Sequence, residues 1–300
     1  MSDIAQNPLV NLSEELAERT RLARPLVAGI VAQGHRVRSG TLWRKDVAVA
    51  SEQAFPDIAE AKINFADGTS LPARLAGRDP GTNIIAFRLD GTPEPAPLPA
   101  AEPRPGSLVL AFGADETGIS VRLGVIYSVG PEWHSRAGGR IDRRIILDTG
   151  LTRRDEGGPV VDAAGGLLGI STLGPRGRAL VIPSTTIEGV LKPLLSKGRV
   201  ERGWLGLALQ PVLVPEVLQS QSGQSRGLMV MSVSQDSPAA QANLHPGDIL
   251  LAVGGESVAS PRVVARRLGP DSVGQRIDLR LIRAGGIISV AATVGTRPSG

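Results

Sequence analysis

The sequence lacks cysteine and is poor in aromatic residues, which limits the chemistry it can carry. Without cysteine, disulfides, thiolate catalysis and cysteine metal sites are excluded. The formal net charge is only +4 and no long Lys/Arg run occurs, so we expect no nucleic-acid partner. No apolar run approaches the roughly 20 residues of a membrane span, and we expect none.

The first residues, MSDIAQNPLVNLSEELAERT, show no basic segment followed by an apolar one, the pattern of a secretory signal peptide. The sequence therefore predicts a cytoplasmic protein. Leu12, Leu16 and Leu22 fall near helical spacing, with Asn11 or Ser13 available as the N-cap. We predict an N-terminal helical segment over residues 1–25, ended by a proline.

From residue 26 onward, short apolar segments alternate with turn signals at a spacing of roughly 8–12 residues, which is typical of all-β proteins. The 37 glycines and 23 prolines agree with many turns. The proline-rich segment TPEPAPLPAAEPRPG separates two sets of strands. A helix is predicted from Ser184, with Gly198 just past its end.

The central stretch, IILDTGLTRRDEGGPVVDAAGGLLG at residues 145–169, resembles the nucleophile segment of trypsin-like serine proteases of the HtrA/Deg family. The sequence keeps the family's spacing between an aspartate, here Asp148, and a Gly-Gly-Pro turn that ends at Pro159. The resemblance implies a trypsin-like double β-barrel over residues 26–198. However, Glu156 stands where the family has its nucleophilic serine, and Arg154 replaces the oxyanion-hole glycine.

The other two triad positions also differ from the family. The segment VAVASEQ corresponds to the strand end that carries the catalytic histidine, and we place Glu52 at that position. The segment DPGTNIIA places Asn83 at the position of the aspartate. No histidine lies in a triad-like frame; the three present are His35, His134 and His245. Because covalent proteolysis needs a hydroxyl or thiol with a base beside it, we predict no catalytic residue and a pseudoprotease.

Two alternatives remain for the changed positions. The protein could be an active HtrA-like serine endopeptidase with displaced catalytic residues. Otherwise, if the barrel geometry is retained, Glu52, Asn83 and Glu156 converge in one cleft with Asp155 next to it, and the carboxylates of Glu52, Glu156 and Asp155 could hold a regulatory cation. Pairing of Glu156 with Arg153 or Arg154 competes with the cation and is the interpretation we favour, so no cofactor or metal is expected.

After a linker at residues 199–203, residues 204–297 resemble a PDZ domain of the bacterial, circularly permuted kind, most clearly in SPAAQANLHPGDILLAVGGESV. In such domains a Φ-Gly-Φ loop holds the C-terminal carboxylate of a peptide, which adds as a strand to the sheet edge. The segment that fits this loop is Trp204, Leu205, Gly206 and Leu207. On the helix SPRVVARRLG, we expect Val264 and Leu268 to face the last apolar side chain of the peptide.

These resemblances imply a mainly β protein, with a double β-barrel followed by a PDZ domain. The predicted function is non-catalytic binding of protein or peptide ligands, as an adaptor, scaffold or chaperone-like partner. Family members commonly assemble as trimers, so a homo-oligomer is conceivable. They are usually exported, which makes the periplasm the alternative to the cytoplasm.

Overall fold

The computed structural model describes residues 7–32, 36–56, 58–91, 99–135 and 137–297. The chain divides into two compact units, the first ending at Val200 and the second beginning at Glu201. The short loop between Ser135 and Ile141 groups with the second unit. In the part of the chain that the structure describes, no helix is both long and apolar enough to cross a membrane.

The first helix, α1 (Pro8–Ala23), begins earlier than the predicted N-caps indicated. Its N-cap is Asn7 rather than Asn11 or Ser13, and the Asn7 side chain accepts a hydrogen bond from the amide of Leu9 at 2.9 Å. Pro8 occupies the first helical position, where no amide hydrogen is needed. The helix ends at a short 3₁₀ turn that contains the predicted proline breaker.

Six antiparallel strands close the first barrel of the first unit, in the order β1-β2-β3-β6-β5-β4. Strands β1, β3 and β6 are mainly apolar and buried along most of their length, whereas β4 and β5 bury only some of their residues. The strands are β1 (Val27–Ala32), β2 (Arg38–Arg44), β3 (Val47–Ser51), β4 (Glu60–Phe65), β5 (Ser70–Asp79) and β6 (Ile84–Leu89).

The second barrel closes in the order β11-β14-β13-β12-β7-β8, so the predicted double barrel is confirmed. Its chain segment comprises β7 (Leu108–Asp115), β8 (Gly118–Gly130), β9 (Trp133–His134), β10 (Arg140–Ile141), β11 (Arg144–Asp148), β12 (Pro159–Asp162), β13 (Leu167–Leu173) and β14 (Ala179–Pro183). Helix α2 (Ser184–Lys197) follows and ends at Gly198, whose φ of 72° is the left-handed cap that glycine favours.

The second unit is built on an antiparallel sheet with the strand order β16-β17-β18-β20-β21. Strand β16 pairs with β17 alone, so its other side is an open sheet edge within the described residues. The elements are β15 (Gly203–Trp204), β16 (Leu207–Leu213), α3 (Glu216–Ser222), β17 (Arg226–Val233), α4 (Pro238–Gln241), β18 (Ile249–Val253), β19 (Glu256–Ser257), α5 (Pro261–Arg267), β20 (Arg276–Arg283), β21 (Gly286–Thr293) and β22 (Gly295–Thr296).

Candidate functional site

The loop that joins β11 to β12 presses Glu156 into the interior of the first unit. Gly157 has a φ of 97°, and a Cβ there would lie 2.5 Å from the carbonyl oxygen of Ser39. A Cβ on Gly158 would lie 1.9 Å from the carbonyl oxygen of Phe112. Only glycine therefore allows this approach, which explains why the Gly-Gly pair accompanies the changed site.

Glu156 is 4% exposed, and its carboxylate meets neutral donors only. Its Oε2 accepts hydrogen bonds from Ser51 Oγ at 3.2 Å, Thr172 Oγ1 at 3.1 Å and the amide of Leu173 at 3.2 Å. The side-chain amide of Gln53 donates to the same oxygen at close range. The expected pairing of Glu156 with Arg153 or Arg154 is therefore wrong, because uncharged donors satisfy the carboxylate instead.

Asn83 belongs to the same hydrogen-bond network. Its Nδ2 donates to Ser51 Oγ at 3.0 Å and to Thr172 Oγ1 at 2.8 Å, and both hydroxyls contact Glu156. Its Oδ1 accepts the backbone amide of Gln53 at 2.8 Å. The structure therefore joins the two predicted positions, Asn83 and Glu156, through two hydroxyl groups.

Glu52 does not join this network. Its carboxylate pairs with Arg78 Nη1 at 3.4 Å. Burial raises the pKa of Glu52 above its ordinary value; the charge of Arg78 opposes the increase, and the charge of Asp79 adds to it. The side chain that faces Glu156 from this segment is that of the next residue, Gln53, which the sequence reasoning missed.

The shift from Glu52 to Gln53 has a local cause. Strand β3 ends at Ser51, and Glu52–Ala54 form a 3₁₀ turn. Beyond the strand the side chains no longer alternate between two faces, so the strand pattern could not tell which of the two residues turns inward. A sequence signal was available: a shift of the family's strand-end motif by one residue would have placed Gln53 at the histidine position.

Asp155 has different partners from its neighbour. Its Oδ2 accepts Arg122 Nε at 3.1 Å, together with the amide of Thr152 at 2.7 Å and the hydroxyl of that threonine at 2.9 Å. The carboxylates of Glu52, Asp155 and Glu156 thus have separate partners and form no shared cage. Among the described residues no group of three acidic or histidine side chains is placed to hold a metal ion.

Arg154 is accommodated without the strain that the family's turn would impose on it. It is not among the described residues with positive φ; in this turn the positive φ falls on Gly157. The Arg154 side chain pairs with Glu116 at 3.5 Å, and its carbonyl oxygen accepts the amide of Ser39 at 3.0 Å. The loop conformation has therefore adapted to the arginine.

None of the polar partners of Glu156 is a histidine. His134 lies in β9 and His245 lies in the second unit, whereas His35 falls outside the described residues. Within the described part of the chain, no imidazole is therefore hydrogen-bonded to the position that replaces the nucleophile.

The loop before β16 in the second unit has the properties of an anion-binding turn. Gly206 has a φ of 81°, and a Cβ there would lie 2.2 Å from Ser237 Cβ. The carbonyls of Leu205 and Gly206 accept amides from Ala239 and Ser234. The amides of Leu205 and Gly206 donate to no acceptor in the described residues, which leaves two N–H groups beside the open edge of β16.

The other residues predicted to contact the peptide lie in the core cluster of the unit or are half-buried in its strands. Val264 and Leu268 are 6% and 8% exposed and belong to the core cluster of the unit together with Leu205. Val264 lies in α5 and Leu268 is its C-cap, and the contact of both with a bound peptide stays a prediction. Trp204 is half-buried in β15, where it pairs with Gly295, and Leu207 is the half-buried first residue of β16.

The comparison with known families agrees with this architecture. Residues 35–170 match the family described as trypsin-like peptidase domain, and residues 210–294 match the PDZ domain family. The first unit is a trypsin-like double barrel and the second carries a PDZ domain.

The chain as a whole is similar to HtrA-type proteases. Over 281 residues it is 31% identical to a protein of Brucella suis named probable periplasmic serine endoprotease DegP-like. The match covers 90% of this chain and 53% of that protein. The chain thus spans about half the length of the curated relatives it matches. A serine endoprotease from Yersinia pestis is 27% identical with a TM-score of 0.74, covering 94% of this chain and 98% of that structure.

A second solved structure, the HtrA-type protease AlgW with tripeptide, is 27% identical with a TM-score of 0.72 and covers 95% of this chain and 98% of that one. The chain has the HtrA/DegP-type organisation, a trypsin-like serine protease domain followed by a PDZ domain. The prediction of a cytoplasmic protein is contradicted, because the matched relatives from Brucella and Rhizobium are named periplasmic. That prediction rested on the first residues, whereas these relatives match 90% and 84% of the chain.

Proposed function

We propose that this protein is a non-catalytic HtrA-like protein that binds peptides or protein C-termini through its PDZ domain, as an adaptor or chaperone-like partner. The observation that supports it most directly is the state of Glu156. A buried carboxylate that accepts four neutral hydrogen bonds takes the place of an activated hydroxyl. Such a group neither attacks a peptide carbonyl nor leaves room for one.

The hydroxyls nearest to Glu156 do not replace the missing nucleophile. Ser51 is 0% exposed and Thr172 is 3% exposed, so neither meets a substrate carbonyl without rearrangement. Each also accepts a hydrogen bond from Asn83 and contacts Glu156. We infer that Gln53, Asn83 and Glu156 now stabilise the interface between the two barrels rather than catalyse a reaction.

The PDZ domain, in contrast, keeps the parts that peptide binding needs. The open edge of β16 offers backbone groups to an added strand, and Pro211 within it is typical of an edge position. The two unengaged amides of Leu205 and Gly206 lie at the start of that edge, where a terminal carboxylate would accept them. We therefore assign the peptide carboxylate to this loop.

Two further features complete the proposal. We place the protein in the periplasm, as its named relatives are. We also propose the domain boundaries 26–198 and 204–297, with residues 199–203 as the linker. Self-association stays a prediction, which sedimentation velocity of the full chain would test.

Absence of catalysis is tested with a fluorophosphonate probe and a protein substrate such as casein. We expect no labelling and no cleavage above the buffer control. The names of the relatives as serine endoproteases support the opposite outcome, an active enzyme with displaced catalytic residues. Labelling that disappears in Ser51→Ala or Ser171→Ala would establish that alternative and end the non-catalytic proposal.

Carboxylate recognition is tested with one apolar peptide, prepared with a free and with an amidated C-terminus. We expect the amidated form to bind the full chain at least about tenfold more weakly, because it loses charge-assisted hydrogen bonds. Equal binding of the two forms would remove the carboxylate from the proposal.

A matched pair of glycine variants locates the site. Gly206→Ala and Gly274→Ala both place a side chain at a φ near 80°, but only at Gly206 does the new Cβ meet Ser237. We expect Gly206→Ala to lose binding and Gly274→Ala to keep it. The opposite order would place the peptide elsewhere on the domain.

A further inference from the structure

On the other side of the loop that carries Glu156, the first unit contains an open cavity of about 470 Å³. Three separate chain segments form it: the start of β2, the β7–β8 hairpin and residues 152–155. Five of its ten lining residues are arginines and two are aspartates. The lining residues are Arg36, Arg38, Ala114, Asp115, Ser120, Arg122, Thr152, Arg153, Arg154 and Asp155.

Only two of the five arginines have a carboxylate partner among the described residues. Arg122 pairs with Asp155 at 3.1 Å, and Arg154 pairs with Glu116 at 3.5 Å. Arg38 donates to the carbonyl oxygen of Arg153 at 3.0 Å and to no acid. Arg36 and Arg153 make no ion pair with any described residue.

The two aspartates do not neutralise the remaining charge. Asp155 is buried at the base of the cavity, and its carboxylate is already engaged by Arg122 and Thr152. Asp115 accepts two hydrogen bonds from Thr117, which lower the pKa of its carboxyl and direct it to that turn. Three like charges are thus left around one cavity, and their mutual repulsion favours a bound anion.

We propose that this arginine-lined cavity binds a small multivalent oxyanion, a molecule with about three negative charges on phosphate or carboxylate groups. Guanidinium groups bind such oxygens in pairs of parallel hydrogen bonds, so three of them favour a ligand with several oxyanion groups over a single ion. The volume also lies within the range of small-molecule sites.

The site is independent of the peptide-binding proposal, since it lies wholly in the first unit and uses none of the residues assigned to the PDZ domain. The cavity adjoins Glu156 in the chain, because the segment that lines it immediately precedes this residue, and the Arg154 carbonyl accepts the amide of Ser39. A ligand here binds the folded loop only, so it also stabilises the first unit against unfolding.

The test is calorimetric titration of the full chain at low ionic strength with tripolyphosphate, citrate and orthophosphate. We expect tripolyphosphate or citrate to bind at least about tenfold more tightly than orthophosphate, because several guanidinium groups are engaged at once. Tighter binding of tripolyphosphate identifies phosphate as the preferred group, and tighter binding of citrate identifies carboxylate. Equal binding of all three, or none, overturns the proposal.

Variants locate the binding. Arg153→Gln and Arg36→Gln change exposed residues without a described carboxylate partner, so they should fold normally and bind about tenfold more weakly. Arg153→Lys should fall between, since it keeps the charge but loses the paired geometry. Arg143→Gln, at an exposed arginine that does not line the cavity, is the control and should bind as the wild type does. Equal weakening by the control would reveal non-specific attraction and overturn the site.

Discussion

Asp155 and Glu156 are neighbours in the chain, and each is only 4% exposed, yet they lie in opposite environments. Asp155 points to the arginine-lined cavity, with Arg122 and Thr152 as partners. Glu156 points to the interface between the barrels and accepts neutral donors alone. One loop therefore separates a basic side, open to solvent, from a closed side without any cation.

The difference shows that a buried carboxylate can be stabilised in two ways. In an ion pair, the charge of the partner stabilises the carboxylate, but removing one member leaves the other charge unpaired. A set of neutral donors supplies no charge and distributes the stabilisation over several hydrogen bonds. Asp155 has the first arrangement and Glu156 has the second.

The largest loss in the free energy of unfolding is expected at Asp155, on the side of the loop that faces the arginine-lined cavity. Asp155→Asn removes the partner of Arg122 and weakens the turn at Thr152, so we expect a loss of about 3 kcal/mol in the free energy of unfolding of the first unit. Denaturant unfolding measures it. Glu102→Gln, which breaks an exposed pair with Arg143, is the control and should cost less than about 1 kcal/mol. Similar losses in the two variants would contradict the expected difference between the ion pair of buried Asp155 and the exposed ion pair of Glu102.

The PDZ domain extends the comparison with Asp248, a buried carboxylate paired with Arg283 at 2.7 Å. Burial alone would raise the pKa of Asp248, but the hydrogen bonds from Arg283 and the His245 amide outweigh it, and the net shift is downward. Because the folded pKa is depressed, the stabilisation is present above the ordinary value of 3.8 and is lost as the pH falls through the folded pKa.

Asp248→Asn should therefore cost about 2 kcal/mol at neutral pH and flatten the acid limb of the stability curve. Unfolding of the full chain, followed between pH 2 and pH 7 (about the range that the depressed pKa requires), measures both changes. An unchanged acid limb would show that the ion pair with Arg283 does not act as described.

On the side of the loop that holds Glu156, we expect a smaller loss in the free energy of unfolding, which distinguishes Gln53 from Glu52. Gln53→Ala removes the donor closest to Glu156 and should cost about 1 to 2 kcal/mol, because a buried acceptor loses a partner. Glu52→Ala removes a long, partly buried pair with Arg78 and should cost less than about 1 kcal/mol, because burial already opposes the charge of Glu52 and Arg78 keeps its hydrogen bond to the Phe55 carbonyl. A larger loss of stability in Glu52→Ala than in Gln53→Ala would mean that Glu52, and not Gln53, faces Glu156.

The smallest expected effect is the coupling between the two sides. The carboxylates of Asp155 and Glu156 share no polar partner among the described residues, so a double-mutant cycle of Asp155→Asn and Glu156→Gln should give an interaction energy below about 0.5 kcal/mol. A larger value would mean that the loop transmits changes from the basic side to the closed side.

Much of the fold could be predicted because its signals are local. The Asp67-Gly68 hairpin between β4 and β5 and the left-handed Gly198 after α2 follow from turn and cap chemistry that neighbouring residues specify. Asn83 and Glu156 were also placed correctly in one network, since the turns that carry them keep the family's frame.

Other features depended on which way a side chain turns after its strand has ended. Gln53 rather than Glu52 faces Glu156, because a 3₁₀ turn interrupts the strand alternation there. Val264 and Leu268 lie in the core cluster of the second unit, and their contact with a peptide stays a prediction, because apolar periodicity on a short helix does not say which neighbour covers it.

The sequence by itself determined that the chain is mainly β with two sets of strands, because strand periodicity and turn residues are local properties. Its resemblance to a known family implied the two barrels, the PDZ domain and a nucleophile position without serine. Only the tertiary structure decided what surrounds Glu156 and where the arginines gather. Arg36, Arg122 and Arg153 are far apart in the chain, and they come to share one cavity because barrel closure brings their segments together.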